Sequence, residues 1–294
     1  MVRPSQGEAL GAWMISGAVT LAVLVTYGRL DTAELYNVSN EGLAGGLGRA
    51  VVLLNFPIAL VAIALTLIAV AALPRRAWVF AGPAIVFSAV VAVAVDQNDL
   101  DARWVNAVPA LGVALALALT VAAARRAGSS FARRRAGDSV RLVASAVVLV
   151  LSLPWIAAEF GIHFPGDVFL GEELYAEDDG HAFAAVHLGH HHGGDGALLV
   201  LTAFLLSRVR MPSGLLRVVS TSYLGIMLAY GAVNFAQDLW HEQVVKRGWT
   251  DVDIPSALVP GARPIWLVIV VLAVFATMLL LRKDDSDAAL PARA

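Results

Sequence analysis

The chain has 294 residues, of which 59% are hydrophobic and 15% charged, with mean hydropathy +0.73 and net charge −2. A soluble domain carries about 25% charged residues, so this composition excludes a disordered chain and an ordinary soluble enzyme and points to an integral membrane protein. The absence of Cys excludes disulfides, thiolate metal sites and cysteine nucleophiles, and the balanced charge gives no reason to expect a nucleic-acid partner.

Charged residues divide the chain into eight apolar runs: 9–28, 50–74, 77–95, 104–124, 142–158, 188–207, 218–237 and 264–281. A hydrocarbon core about 30 Å thick needs about 20 helical residues, a length each run meets within tolerance. The expected fold is all-α, a single domain of eight transmembrane helices, and no segment alternates as a barrel strand would. The first run lacks a small-x-small cleavage site before Arg29 and reads as a helix, not a leader. Pro57 is expected to kink the second helix. The longest connection, 159–187, separates the fifth and sixth helices and lies outside the membrane.

Basic residues set the orientation. Arg75 and Arg76, the set Arg125, Arg126, Arg133, Arg134, Arg135 and Arg141, then Arg208, Arg210 and Arg217, and finally Arg282 and Lys283 fall on one side of an eight-span chain. That side carries fifteen basic and five acidic residues, against six basic and eighteen acidic on the other. By the positive-inside rule it is the cytoplasm, with both termini inside. The Arg-rich loop 125–141 reads as a topology signal in contact with anionic lipids. Nineteen Arg against two Lys, with abundant Ala, Val, Leu and Gly, suggest a bacterial source and hence a plasma membrane.

All seven histidines fall between residues 163 and 241, on the outer side of this topology. Glu159 ends the fifth helix four residues before His163, so a continued helix would put the two on one face. The sixth helix opens with His187, His190, His191, His192 and Asp195, and the seventh ends with Asp238, His241 and Glu242. On a regular helix His187, His191 and Asp195 form one i, i+4, i+8 stripe, whereas His190 and His192 point elsewhere. Counting back about 20 residues from Arg208 places Asp195 within the outer leaflet, where an ionisable group marks a functional site by default.

The expected site is therefore a divalent transition-metal centre, zinc favoured over iron or copper. His187, His191, Asp195 and His241 are the ligands, with His163 and Glu159 as alternates. Glu159, Asp238 and Glu242 are candidate general bases. The metal would activate water or oxygen against a lipid or amphipathic substrate at the outer surface, with membrane lipids as partners. Replacing His187 or His191 by Ala is expected to remove bound metal without unfolding the helices, and full metal content in both variants would contradict the ligand assignment. Two other classes stay open: a transporter or sensor of a cation or proton, and a non-catalytic subunit of a membrane complex.

The spacing of His187, His190 and His191 resembles one histidine box of membrane desaturases and hydroxylases. Members of that family carry several boxes facing the cytoplasm, whereas this chain has one on the opposite side. Glu172, Glu173, His187, His191 and Asp195 are similar in type to the motifs of membrane CAAX-type proteases, but those lie on separate helices, and here they are compressed into 24 residues. Neither resemblance carries a function over.

Overall fold

A computed structural model describes residues 4–31, 42–94, 101–171, 174–176, 182–186, 192–258 and 261–289. Among these, the chain is built from helices: α1 (Gly7–Arg29), α2 (Gly42–Ala72), α3 (Trp78–Ala89), α4 (Val91–Ala94), α5 (Ala107–Ala127), α6 (Asp138–Leu151), α7 (Leu153–Glu159), α8 (His192–Leu206), α9 (Leu215–Trp240) and α10 (Pro264–Ala289). Six spans among the described residues are long and apolar enough to cross a membrane; α6 and α7 together would make a seventh. The chain is a helical protein with several membrane-spanning helices.

The long connection adds one feature that the all-α expectation lacked. A short antiparallel hairpin pairs β1 (Leu174–Ala176) with β2 (Ala182–Ala184), with Tyr175 opposite Phe183. Three residues per strand are too few to show a legible alternation.

The fifth apolar run is one helix by length but two in the structure. It breaks at Ser152, and α7 leaves α6 at 50°. Pro154 lies in the first turn of α7, and the Ser152 hydroxyl donates to the Val148 carbonyl at 2.7 Å. A proline has no N–H for the preceding turn and crowds its carbonyl, so the ladder stops there. The bend changes what the chain faces. No residue of α6 is buried, whereas Pro154, Trp155, Ala157, Ala158 and Glu159 of α7 all are.

At its centre the bundle packs α2 against α8 and α9, and α10 against α9, through Val61, Leu65, Ile68, Leu199, Leu206, Leu224 and Ile269. Small residues permit the closest approach: a Cβ at Gly196 would lie 2.5 Å from the Gly231 carbonyl oxygen, and one at Gly231 would lie 2.8 Å from that of Gly196. Between membrane helices such contacts supply the packing that hydrophobicity cannot, because lipid is as apolar as the helix. A second layer packs α3 and α5 on α2 through Ala69, Ala81, Ala84, Leu119 and Ala123.

One end of the bundle is closed by a polar network. The Arg208 guanidinium pairs with Asp138 at 2.6 Å and Glu8 at 3.4 Å, and it donates to the Ala132 carbonyl at 2.8 Å. Glu8 accepts from the Ala132 N–H at 2.8 Å, and the Gln6 N–H reaches the Gly128 carbonyl at 3.0 Å. The start of α1, the end of α5, the start of α6 and the end of α8 therefore meet. Arg217, near the start of α9, donates to the Leu281 carbonyl near the end of α10 at 3.0 Å.

At the opposite end lie the C-termini of α1, α7 and α9 and the N-terminus of α8. There α7 stops in a Schellman turn. Gly161 has φ +63°, its N–H bonds to the Ala158 carbonyl, and the Ile162 N–H reaches back to that of Ala157. Glycine takes this left-handed position without a Cβ penalty.

Candidate functional site

The site is built from the bend outward. Trp155, turned inward by α7, is 2% exposed, and its indole N–H donates to a Glu242 carboxylate oxygen at 2.6 Å. Its ring meets Phe235 edge-on at 5.4 Å. The six-membered ring also lies over Gly193 so closely that a Cβ there would overlap it. Glu242, fully buried, sits on a π-helical turn, His241–Val245, that extends α9. The extra residue in that turn changes the face that α9 presents. Asp238 and Glu242 are both buried toward α7 and α8, while His241 turns to the following loop, its Nδ1 3.3 Å from an Asp253 carboxylate oxygen.

Asp238 serves a second purpose. Its carboxylate accepts the Gly193 N–H at 2.6 Å, so a side chain of α9 caps the first turn of α8. A carboxylate at a helix N-terminus satisfies an otherwise orphaned N–H and meets the positive end of the helix dipole. Glu159, 5% exposed, receives the Thr26 hydroxyl of α1 on its carboxylate, and Thr26 also lies 3.0 Å from the Glu159 carbonyl. Arg29 donates to the Ala158 carbonyl at 2.7 Å.

The π turn and the residues that follow it bond the long connection. The Gln243 side-chain amide bonds both backbone groups of Leu170, at 2.8 and 3.0 Å. Lys246 donates to the Ala185 carbonyl at 3.0 Å, and Arg247 donates to that of Asp167 at 2.8 Å.

Beside the cluster lies a cavity of about 520 Å³. Ile15, Val19, Leu21 and Val23 of α1, Ile58 of α2, Leu149, Ile156 and Phe160 around the bend, and Leu198 and Leu201 of α8 form its apolar walls. Residues 15 to 23 of α1 span about 12 Å along the axis, enough for an extended chain of several methylenes. Glu159 and Asp195 supply its carboxylates, and Ser152 also lines it. Leu21, Ile156 and Phe160 are exposed on the flank of the bundle, so the cavity opens sideways.

The sequence-derived site residues divide accordingly. Glu159 and Asp195 line the cavity together with Trp155, while Asp238 and Glu242 bond Gly193 and Trp155. His241 sits with Asp253, and His163 is exposed beyond the Schellman turn. The expectation that Glu159 and His163 share a helical face is corrected, because α7 ends at Glu159 and Gly161 turns the chain away. His187 and His191 lie outside the described residues. Among the described residues no group of three or more His, Asp or Glu is placed to hold a metal ion. Of the other outer polar residues, Asn55 donates to the Asn106 carbonyl at 2.7 Å and Asn234 to that of Tyr230 at 2.9 Å, both structural uses.

The close approach at Gly193 is of the kind that the glycines at 189, 193, 194 and 196 allow, whereas Trp155 and Thr26 are not singled out by the sequence. Pro154 was the visible signal for Trp155, since a proline inside an apolar run marks a change of direction. Thr26 carries no local signal, because its partner is 133 residues away in the chain. No known protein family matches the chain, and neither curated proteins nor solved structures yield a significant match.

Proposed function

We propose that the protein is a bacterial plasma-membrane protein that takes an amphipathic guest, a lipid or lipid-like substrate, from the bilayer into the cavity between α1, α2, α7 and α8. Its apolar chain lies along α1, and its polar head meets Glu159 and Asp195. The observation that carries this reading is the cavity itself: apolar along its length, open to the lipid-facing flank and supplied with two carboxylates. A membrane protein places ionisable groups at such depth where a substrate or ion needs them. The carboxylates favour a head bearing an ammonium group or hydroxyl donors.

The topology that goes with this reading is eight crossings with both termini in the cytoplasm. The contacts joining the start of α1, the ends of α5 and α8 and the start of α6, and those between α9 and the end of α10, support an even number of passages. α8, at 15 residues, is about 22 Å long and cannot cross alone. The Arg-rich end is the cytoplasmic one.

The proposed metal belongs to the same place. Asp195 lines the cavity, so zinc held by it together with His187 and His191 would supply activated water to the head of the guest. Glu159 is then better placed as a general base than Asp238 or Glu242, because it lines the cavity and they do not.

Filling the cavity tests the binding. Ala18, an exposed residue of α1 on the cavity wall, is replaced by Trp. Protein purified in mild detergent is extracted, and bound amphiphiles are quantified by mass spectrometry against total protein. Ala18→Trp should lower one class of bound amphiphile about tenfold, the scale set by losing a few buried methylenes, and leave the unfolding midpoint unchanged. Equal amphiphile content in both proteins would overturn the reading.

A further inference from the structure

A second cavity, of about 610 Å³, lies at the Arg-rich end, far from the carboxylate site. It is framed by the end of α2 (Leu73, Pro74), the start of α3 (Val79, Phe80) and the end of α5 (Leu119, Ala122), with Arg76, Arg125 and Arg126 around its mouth. We infer that this cavity is a binding site for an anionic phospholipid, whose phosphate is held by the three guanidiniums and whose acyl chains run down the outer face of α3.

Three observations carry the inference. The first is unspent charge. Among the described residues the side chains of Arg76, Arg125 and Arg126 have no hydrogen bond or ion pair, and no carboxylate lines the cavity. Other arginines of the same end are used within the chain: Arg141 and Arg208 pair with Asp138, and Arg135 donates to the Arg208 carbonyl. The positive charge beside α3 thus awaits an anion from outside the chain. The second is the floor of the cavity. Leu73, Val79, Phe80 and Leu119 are apolar, and Val79 and Phe80 are 70% and 59% exposed on the flank of the bundle. A soluble anion would gain nothing from that wall, whereas acyl chains bury it. The third is geometry. Arg76 follows α2 by four residues, while Arg125 and Arg126 occupy the last turn of α5, so all three stand where apolar helix gives way to polar loop. That is the depth of a lipid phosphate. A guanidinium presents a planar fork of donors that matches phosphate oxygens, and basic pockets between helix ends on the side rich in anionic lipid recognise such head groups. The site is independent of the carboxylate cavity, and it requires of the protein only that these helices span a membrane.

The test is native mass spectrometry of the full chain released from mild detergent with added dioleoyl phosphatidylglycerol or dioleoyl phosphatidylcholine. The wild type should retain phosphatidylglycerol in clear preference. Arg76→Gln/Arg125→Gln/Arg126→Gln should weaken that retention by about a hundredfold, at roughly one factor of five per arginine. Ala122→Trp keeps every charge, and therefore the topology signal, but fills the cavity, and it should lose the lipid as well. Equal retention of both lipids by the wild type would overturn the inference. So would undiminished phosphatidylglycerol in Ala122→Trp, which would leave only diffuse attraction to a basic loop.

Discussion

Arg208→Ala should be the most damaging single substitution at the Arg-rich end, lowering stability by about 3 kcal/mol. Arg208 is the shared partner of Glu8 and Asp138, whose side chains are 1% and 11% exposed. Removing it strands a buried carboxylate at Glu8 with the Ala132 N–H but no guanidinium. The figure stays at the lower end of what breaking a buried pair costs, because the Arg208 side chain keeps 23% of its surface in contact with solvent. The same change should release the segment 128–137, which Arg208 holds through the Ala132 carbonyl, to trypsin at Arg133, Arg134 and Arg135. A denaturant titration in mixed micelles and a timed digest measure the two effects. An unshifted midpoint with unchanged cleavage would show that the network is decoration on a bundle held elsewhere.

Gly193→Ala should cost about 2–3 kcal/mol, near the top of the range for overpacking a filled interior. The new methyl enters the space of the Trp155 ring, and moving α8 away to admit it would break the 2.6 Å bond from the Gly193 N–H to Asp238. Trp155→Phe alone should cost about 1–3 kcal/mol, since it withdraws the indole donor from the buried Glu242. The two together should cost less than the sum, by 1 kcal/mol or more, because Phe lacks the ring atoms that the methyl strikes. Strict additivity in a double-mutant cycle would mean that Gly193 and Trp155 do not share one space, and the described centre of the site would be wrong.

Some of this architecture is legible in the residues. Six of the apolar runs coincide with helices long enough to cross a membrane, the fifth is a bent pair and the sixth holds the shorter α8. Pro154 marks the bend and Gly161 the end of α7, both local signals with a backbone cause. The π turn at 241–245 is a different matter. A regular helix would put Asp238, His241 and Glu242 on neighbouring faces, but burial of Glu242 against Trp155 draws one more residue into the turn and sends His241 to Asp253. That choice is made by a contact 87 residues away in the chain, which no periodicity records. The carboxylates were therefore identifiable as a set, whereas the role of each depended on long-range partners: Asp238 as a cap for α8, Glu242 as an acceptor for Trp155, and Glu159 and Asp195 as the cavity's polar groups.

A guest in the cavity can be located directly. A long-chain primary amine carrying a diazirine midway along its chain is added to proteoliposomes, photolysed, and its adducts are mapped by peptide mass spectrometry. Labelling should concentrate on residues 15–23 of α1 and 149–160 across the α6–α7 bend. It should fall in Ala18→Trp, and it should weaken in Glu159→Gln/Asp195→Asn while the fold persists. Label spread evenly over lipid-facing helices, indifferent to all three substitutions, would mean that the cavity takes no amphiphile.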